Sequence, residues 1–468
     1  MVIAENEKQC ADSVTSGVCH FNERMTVNPF RIHSLRLIAP VAVLLGAACS
    51  DPTATPGEGI TPREARQTTS GPTVTSTVPA QSERGTTLDV RVLGSGFDNG
   101  TTARWAIDGV PAEKVVTNRT TYVSSKEIVA NITIAPDADV TFYDVLVTTT
   151  AGKPGIGTEK FEVTIQVTRL GSLESGQTEA LAINESGQIA GYSGSRAFLW
   201  ENGVMKDLGL PPGFTSSRAE GINNLGQVVG YAMRQVDGVW NARAWLWKAG
   251  EGLTLLPGSE YSTAYAINDL GMIGGRARRA DGSSGAAAWI DGVLHIVPGL
   301  STFYDINVSG EAVASGAPNG GVGNWQTAYV WSLAAGLRPV PTLYSSAGEP
   351  LGINDSGQVV GWGPTGGVES LDQAFVSTGT SARNLGLPGV SSSGAHKIAN
   401  NGFIVGRYKP YAAALWLPDG SLVKLPTGLA SGGNTDAYDV NSGGQAVGAI
   451  DIVGRRTTTR VAVRWSLY

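Results

Sequence analysis

The chain is poor in the residues from which metal centres and catalytic sites are built. Its 468 residues include three cysteines and four histidines. His20 and His33 fall in the N-terminal segment described below, which leaves His295 and His396 for the folded part. A zinc centre or a histidine-based catalytic triad is therefore poorly supplied, and we expect neither a metal ion nor a cofactor.

Charge is also scarce. Charged residues make up 16% of the chain, compared with about 25% in ordinary globular proteins, and the formal net charge is −6. No dense run of Lys and Arg occurs, so nucleic acid is not an expected partner. Hydrophobic residues reach 41%, which excludes a disordered chain. The 62 glycines favour an all-β protein with many short strands and tight turns.

The N-terminal apolar run is short. It covers 12 residues, 37–48, behind Arg31 and Arg36, whereas a membrane-spanning helix needs about 20. The basic segment, the apolar run and Cys49 directly after Gly-Ala-Ala resemble a bacterial lipoprotein signal, in which the cysteine becomes lipidated and N-terminal. A plain signal peptide and a buried apolar helix are the alternatives.

This resemblance divides the N-terminal region. Met25 is the better start for such a signal, so we expect residues 1–24 to be absent from the protein and residues 25–48 to be the signal peptide. Residues 49–72, rich in Pro, Thr and Gly, are expected to form a flexible tether. Cys49 would then be the only cysteine, and no disulfide could form. The expected location is the bacterial cell envelope, lipid-anchored on the periplasmic or extracellular side.

Residues 73–165 predict a small β-sandwich. Apolar and polar residues alternate in short segments, for example at Leu88, Val90 and Val92, as in strands with one buried face. The segments 94–97, 125–130 and 143–152 resemble the IPT/TIG immunoglobulin-like family. A generic Ig-like spacer is the alternative, and neither implies chemistry.

From residue 166 onward one motif recurs: an apolar residue, Asn, two residues, Gly and a short apolar run. Its copies start 39, 45, 39, 47, 45 and 42 residues apart. One copy has Ala314 in place of its second Gly, and another has Ala399 in place of Asn. The turn residues are Asn184, Gly187, Asn223, Gly226, Asn268, Gly271, Asn307, Gly310, Asn354, Gly357, Gly402, Asn441 and Gly444.

The repeats carry two further marks. One is an Ala-x-Leu-Trp segment such as 197–200, with weaker copies in three repeats, and the other is an apolar segment ending in Pro, such as 208–211, in five repeats. We interpret each repeat as four strands. The first strand ends at the Asn and the second follows the Gly. The third is the Ala-x-Leu-Trp segment and the fourth is the Leu-Gly-Leu segment. Seven such repeats predict a seven-bladed β-propeller over residues 166–468. The seventh repeat ends after its third strand, so residues 167–173 are expected to supply the fourth and close the ring.

The segments Ile-Asn-x-x-Gly-Gln-Val-Val-Gly at 222–230 and 353–361, together with the Ala-x-Leu-Trp mark, resemble the HAF family of extracellular repeats. This resemblance implies an exported, surface-associated protein. It implies no particular activity.

We interpret the Asn-x-x-Gly segments as tight hairpin turns, because Asn side chains bond nearby backbone and Gly accepts a positive φ. A calcium loop is the alternative, although Ca²⁺ takes more oxygen ligands than one such turn offers. The recurring Trp residues are interpreted as packing between blades rather than as an aromatic ligand site.

The variable connections follow the second and fourth strands of each repeat, which places them on one face of a propeller, here called the loop face. Loops held by a rigid scaffold commonly bind ligands. The candidate ligand-binding residues of the loop face are Trp240, Arg279, Asp281, Trp325, Trp362, Tyr408 and Tyr411.

We therefore expect a non-catalytic, lipid-anchored envelope protein, monomeric, whose loop face binds a glycan or a cell-surface protein. A structural spacer is one alternative. A propeller glycan hydrolase or lyase is another, although no paired carboxylates or Gly-x-Ser-x-Gly elbow can be assigned as catalytic residues.

Overall fold

The computed structural model describes residues 71–258, 260–279, 281–317, 327–366, 371–386, 390–409, 411–426, 433–454 and 457–467. These ranges form β-strands, turns and connections without an α-helix. No helix in them is long and apolar enough to cross a membrane. The expected extension, signal peptide and lipidation site Cys49 lie outside the described residues, as does the tether up to residue 70.

Residues 73–164 form two sheets packed as a β-sandwich. One sheet has the order β1-β3-β7-β6 and the other β2-β9-β8-β4-β5. The alternating Val90, Val92 and Ile128 side chains are buried between them. Trp105 packs on Phe161 with the ring centres 4.8 Å apart. The strands are β1 (Thr73–Val78), β2 (Gln81–Glu83), β3 (Thr87–Ser95), β4 (Thr102–Ile107), β5 (Val110–Pro111), β6 (Val115–Ser124), β7 (Glu127–Ile134), β8 (Phe142–Thr148) and β9 (Pro154–Thr164).

The strands of the remaining chain group into sets of four. They are β10 (Gln166–Arg169), β11 (Thr178–Ile183), β12 (Ile189–Ser193), β13 (Arg196–Glu201), β14 (Val204–Asp207), β15 (Ser216–Ile222), β16 (Val228–Val236), β17 (Val239–Lys248), β18 (Gly252–Leu255), β19 (Ser262–Ile267), β20 (Ile273–Arg278), β21 (Ser284–Ile290), β22 (Val293–Val297), β23 (Asp305–Ile306), β24 (Ala312–Gly316), β25 (Thr327–Ser332), β26 (Gly336–Pro339), β27 (Glu349–Ile353), β28 (Val359–Pro364), β29 (Asp372–Ser377), β30 (Ala382–Asn384), β31 (Ser393–Ile398), β32 (Ile404–Tyr408), β33 (Ala412–Trp416), β34 (Leu422–Lys424), β35 (Thr435–Val440), β36 (Gln445–Val453) and β37 (Thr458–Ser466).

Within the described ranges these strands make seven four-stranded antiparallel sheets. Sheets 1 to 6 take four consecutive strands each, from β11–β14 to β31–β34, and sheet 7 combines β35, β36 and β37 with β10. The first strands of successive sheets contact one another, and the first strand of sheet 7 contacts that of sheet 1. This circle of four-stranded sheets is a β-propeller.

Strand β10 completes sheet 7. It pairs with β37 from Gln166 opposite Ser466 to Arg169 opposite Val463, which confirms the predicted pairing of this segment with the last repeat. The strand ends at Arg169 rather than reaching residue 173, because Gly171 has a φ of +89° and bends the chain away from β37.

The fourth strands lie earlier than the sequence predicted. β14 ends at Asp207, so the Leu-Gly-Leu segment follows it instead of forming it. Leu208 is buried and still donates its amide to the carbonyl of Ala197 at 3.0 Å. These apolar residues therefore close the outer edge of the core and lead the chain to the next sheet.

The motif Asn is the link between neighbouring sheets. Its side chain is buried. Its Oδ1 accepts a hydrogen bond from the backbone amide four residues later, at 2.9–3.1 Å. Its Nδ2 donates to the backbone carbonyl of the residue at the same motif position in the next sheet, at 3.0–3.4 Å. The links run from Asn184 to Asn223, Asn268, Asn307, Asn354 and Ala399, and from Asn441 back to Asn184.

The turn interpretation of Asn-x-x-Gly is confirmed as well. The Gly amide bonds the Asn carbonyl in every copy that retains Asn, for example Gly226 to Asn223 at 3.0 Å. Gly226 has a φ of +72°, a conformation that costs a residue with a Cβ free energy. Between sheets 6 and 7 Ala399 offers no side-chain link, and Asn401 Nδ2 bonds the Ser442 carbonyl at 2.9 Å instead.

The other two marks also join adjacent sheets. In sheets 1, 2, 5, 6 and 7 the Ala amide of strand three donates to a Ser or Thr hydroxyl on the first strand of the next sheet, at 2.7–3.1 Å. Trp289, Trp416 and Trp465 are buried, and each donates its indole N–H to a carbonyl of the Leu-Pro segment in the preceding sheet. The packing role predicted for the repeated Trp residues is confirmed.

A buried arginine joins sheet 7 to sheet 1. Arg460 on β37 donates to Glu179 of sheet 1 and to Asp451 of sheet 7, both at 2.8 Å, and it also pairs with Asp436. Its side chain is 13% exposed. Because these charges are largely removed from water, the guanidinium is needed to compensate the three carboxylates.

Replacing one link should weaken the propeller measurably. Asn268→Ala removes one bond to Asn307 and leaves the Met272 amide unpaired, so we expect the free energy of unfolding to fall by about 2–3 kcal/mol. Chemical denaturation measures this. Asn241→Ala is the control and should change little, because among the described residues its side chain makes a single 3.5 Å contact in an exposed hairpin. Equal losses in both variants would refute the link.

The arginine cluster gives a second prediction. Arg460→Met leaves Glu179, Asp436 and Asp451 without their shared cation, and we expect a loss of about 3–5 kcal/mol in unfolding free energy. Arg91→Met removes the exposed pair with Glu127 and should cost less than about 1 kcal/mol. Similar losses for both variants would contradict the role assigned to Arg460.

Candidate functional site

The predicted loops are shorter than the sequence suggested, because their strands continue further. β16 and β17 stay paired as far as Val236 opposite Val239. Trp240 is therefore a strand residue near the tip of a hairpin, 60% exposed. It lines neither of the two cavities described below.

Arg279 and Asp281 lie in the turn between β20 and β21 and are used by that turn. Asp281 accepts bonds from the hydroxyl and the amide of Ser283, which lower the pKa of its carboxyl. Arg279 bonds the same Ser283 hydroxyl at 3.2 Å. Trp325 lies outside the described residues.

Three of the predicted residues come together. Trp362, Tyr408 and Tyr411 line a cleft of about 270 Å³ between sheets 5 and 6, here called the aromatic cleft. The other residues that line it are Asp372, Ser392, Ser393, Gly394, His396, Arg407 and Lys409.

The first strand of sheet 6 forms the wall on which Trp362 lies. A Cβ at Gly394 would stand 3.7 Å from Cβ and Cδ1 of Trp362, an ordinary van der Waals distance, so the indole lies directly against this strand. Next to it the Ser393 hydroxyl accepts the Ala374 amide at 3.0 Å and donates to Gln373 at 2.7 Å. These bonds hold β29 and β31 together behind the cleft.

Tyr411 is positioned by an unusual backbone. Its φ is +79°, a region that residues with a side chain seldom occupy. Its amide donates to the Tyr408 carbonyl at 2.8 Å, and its carbonyl accepts the Thr435 amide of sheet 7 at 2.9 Å. Strained residues held in this way concentrate at functional sites, and here the ring is left 48% exposed beside the cleft.

The cleft combines the aromatic rings with charged groups. Arg407 lies 3.4 Å from Asp436, and the Lys409 side chain has no ion-pair partner in the described ranges. His396 approaches the Ala437 carbonyl with Nδ1 at 2.8 Å, and burial lowers its pKa. A neutral imidazole is therefore expected at pH 7. It shares the cleft with one acidic side chain, Asp372, and two basic side chains, Arg407 and Lys409.

A second, larger cavity occupies the centre of the propeller on the face of the Asn-x-x-Gly turns. Its volume is about 470 Å³, within the range usual for small-molecule sites. His396 and Arg407 line both this central cavity and the aromatic cleft.

Irregular pairing between the first and second strands of the sheets directs one residue of each first strand toward the central cavity. In six sheets the register shifts just before the motif, as between Ala219 and Gly221, and such bulges redirect side chains. The residues concerned, with Tyr304 at the matching position of sheet 4, are Leu181, Glu220, Tyr265, Tyr304, Leu351, His396 and Tyr438.

These residues were missed in the sequence, although a signal was present. Each lies three positions before the motif Asn or its substitute. The one-residue shift was not foreseen, because regular alternation of a strand assigns faces with a period of two.

A charged group closes part of the central cavity. Lys397 pairs with Asp305 of sheet 4, reaching past Gly352 of sheet 5. Burial lowers the pKa of Lys397, but Asp305 and Asp439 outweigh it and raise the value. Asp305 and Asp439 each accept two backbone amides as well, including that of Ile353 for Asp305.

Glu220 differs from these groups. It forms no hydrogen bond or ion pair in the described part of the chain, and burial raises its pKa to about 7, with Arg218 opposing and Glu179 adding to the shift. Arg218 is instead stacked on the Tyr192 ring, 3.8 Å from its centre. Glu220 is thus a half-buried carboxyl group at the wall of the central cavity, with Arg218 as its opposing charge.

The calcium-loop alternative gains no support. No group of three or more His, Cys, Asp or Glu side chains is placed to hold a metal ion among the residues that the structure describes. The Asn oxygens of the turns are engaged in closing those turns.

Comparison with known proteins gives no family. No family model matches the chain, and no curated protein does. Among solved structures, a gluconolactonase from Xanthomonas campestris aligns with 64% of this chain and 89% of its own at 11% identity and a TM-score of 0.33. The β-propeller domain of the Trilobed protease from Pyrococcus furiosus aligns with 85% and 98% at 9% identity and a TM-score of 0.37. The propeller assignment therefore rests on the chain's own sheets.

The pKa of Glu220 predicts an unusual pH dependence of stability. The folded value of about 7 exceeds the ordinary 4.5, so between these values the folded state holds a proton that the unfolded state has released. The free energy of unfolding should therefore fall as the pH rises from about 4.5 to 7.

Glu220→Gln removes this dependence. We expect the variant to be more stable than the natural chain by about 3 kcal/mol at pH 8 and nearly equal to it at pH 4, measured by denaturation across that range. The exposed Glu113→Gln serves as control. A variant that is no more stable at pH 8 would contradict the raised pKa of Glu220.

Proposed function

We propose that this protein is a lipid-anchored, non-catalytic receptor of the bacterial cell envelope that binds a glycan in the aromatic cleft. In this proposal the seven sheets are the blades of a HAF-type propeller, and residues 73–165 are an IPT/TIG-like immunoglobulin-like domain that carries it. Cys49 is the proposed point of lipidation, and residues 49–72 are the tether.

The observation that carries the binding proposal is the meeting of Trp362, Tyr408 and Tyr411 in one cleft. Aromatic side chains offer broad apolar faces, and Tyr adds a polar group at the edge. A sugar ring has the complementary surface, with apolar C–H groups on its faces and hydroxyls at its rim. Arg407, Lys409 and Asp372 supply polar contacts for those hydroxyls.

The size of the cleft favours a glycan over a protein partner. A stable protein interface buries about 800 Å² on each side, whereas the aromatic cleft is a concave space of about 270 Å³. One or two sugar units at a chain end fit such a space better than a flat protein surface does.

The test is a glycan array probed with the full-length chain and three variants. Trp362→Ala and Tyr411→Ala remove aromatic surface from the cleft, and each should weaken binding to the best glycan at least tenfold, about 1.4 kcal/mol. Trp240→Ala removes an equally large, exposed ring outside the cleft and should leave affinity unchanged.

Each outcome of this experiment distinguishes the glycan proposal from an alternative. Binding that is lost only in the two cleft variants supports the proposal. Binding that is lost in Trp240→Ala and retained in the others would move the site to the β16–β17 hairpin. No binding to any glycan would favour the spacer alternative.

A further inference from the structure

The central cavity is lined by the Asn-x-x-Gly turns and shares only His396 and Arg407 with the aromatic cleft. Its lining includes six carboxylates, Glu185, Glu220, Asp269, Asp305, Asp355 and Asp439, but only two cationic side chains, Lys397 and Arg407. With His396 neutral, the formal charge of the lining is −4 when every carboxylate is ionised. A cationic ligand is the electrostatic complement.

The negative charge is arranged at two depths. Glu220 lies on the wall, three positions before the turn, and has no bonding partner in the described ranges. Glu185, Asp269 and Asp355 lie at the rim, one position after the motif Asn, and their recorded partners are neutral: Ser442, Asn224 and Asn400. Their charge therefore remains available to a ligand.

Two of the rim carboxylates belong to the sheets that neighbour the sheet of Glu220, one on each side. Glu185 belongs to sheet 1 and Asp269 to sheet 3, while Glu220 belongs to sheet 2. Asn224 connects them, because its Oδ1 accepts the Glu185 amide and its amide donates to Asp269. A ligand with one cationic group at Glu220 would direct a second toward this side of the rim.

The chemistry of the lining favours an organic cation over a metal ion. No cluster of metal-ligating side chains occurs in the described residues, and the walls beside Glu220 include Tyr265, with Tyr304 and Tyr438 further around the ring. Tyrosine faces attract ammonium groups, and the cavity of about 470 Å³ is larger than one dehydrated ion requires.

We propose that the central cavity binds a linear polyamine, with one ammonium group on the Glu220 carboxylate and a second among Asp269 and Glu185. The position of Glu220 supports this assignment, because a half-buried carboxylate at the cavity wall that has no hydrogen-bond partner among the described residues can accept a charge-assisted hydrogen bond from an ammonium group.

The experiment is calorimetric titration of the full-length chain with spermidine at low salt. Glu220→Gln keeps the shape and removes the charge, and we expect affinity to fall at least tenfold. Asp269→Asn should reduce it several-fold, and Glu113→Gln, an exposed carboxylate of the sandwich, should not change it. Thermal unfolding of each variant shows that the fold is retained.

A pH series adds a second readout. The charged and titratable groups that interact electrostatically with Glu220 are Arg218 on its own strand, Tyr231 on β16, Tyr265 of sheet 3 and Glu179 of sheet 1. Arg218 stays charged and the tyrosines stay neutral from pH 6 to 8. Spermidine affinity should therefore rise about tenfold over this range as Glu220 ionises near 7. Glu220→Gln should remove most of the rise and leave the part due to Asp439, whose pKa burial raises to about 6.

Several results would overturn the proposal. These are the absence of spermidine binding by the natural chain at millimolar concentration, equal binding by Glu220→Gln, and tighter binding of Ca²⁺ than of spermidine. Spermidine binding that depends on Glu220 and Asp269, and persists in Trp362→Ala, supports it and places the site apart from the aromatic cleft.

Discussion

The propeller depends on one side-chain amide used in two directions. Each motif Asn closes the turn of its own sheet with Oδ1 and bonds the backbone of the next sheet with Nδ2. An aspartate could accept but not donate, and a serine would be too short to do both, so Asn suits this position for a physical reason. Because the Asn is buried, a lost partner is costly, and where Ala399 replaces it another side chain, Asn401, makes the link to the next sheet.

Much of the fold follows from such local chemistry, which is why the sequence predicted it. The spacing of the repeats, the packing Trp residues and the pairing of the segment at Val167 with the last repeat are all visible as patterns. The fourth strands were misplaced because Leu208 and its counterparts are apolar although they follow the strand. The sequence does not predict the extended β16–β17 hairpin, because its outer residues, Gln235 to Trp240, are not held against a core and show no clear alternation.

The candidate sites were only partly visible for a different reason. Trp362, Tyr408 and Tyr411 could be named as aromatic residues of one face, but their meeting depends on which sheets are neighbours and on the backbone of Tyr411. Glu220 and His396 reach the central cavity only because of a register shift of one residue. Such a shift changes the direction of a side chain without leaving a mark in composition or periodicity.

The strand that completes sheet 7 also has a mechanical consequence. A pull exerted on the N-terminal side of the chain, against the body of the ring, enters at β10, whose four residue pairs with β37 are then loaded along the strand. Bonds loaded in this way must break together, whereas a strand peeled from its end yields one bond at a time. Val167 also donates to Glu83, and Arg84 bonds the Leu467 carbonyl, so the sandwich would share the tension with the seam of the ring.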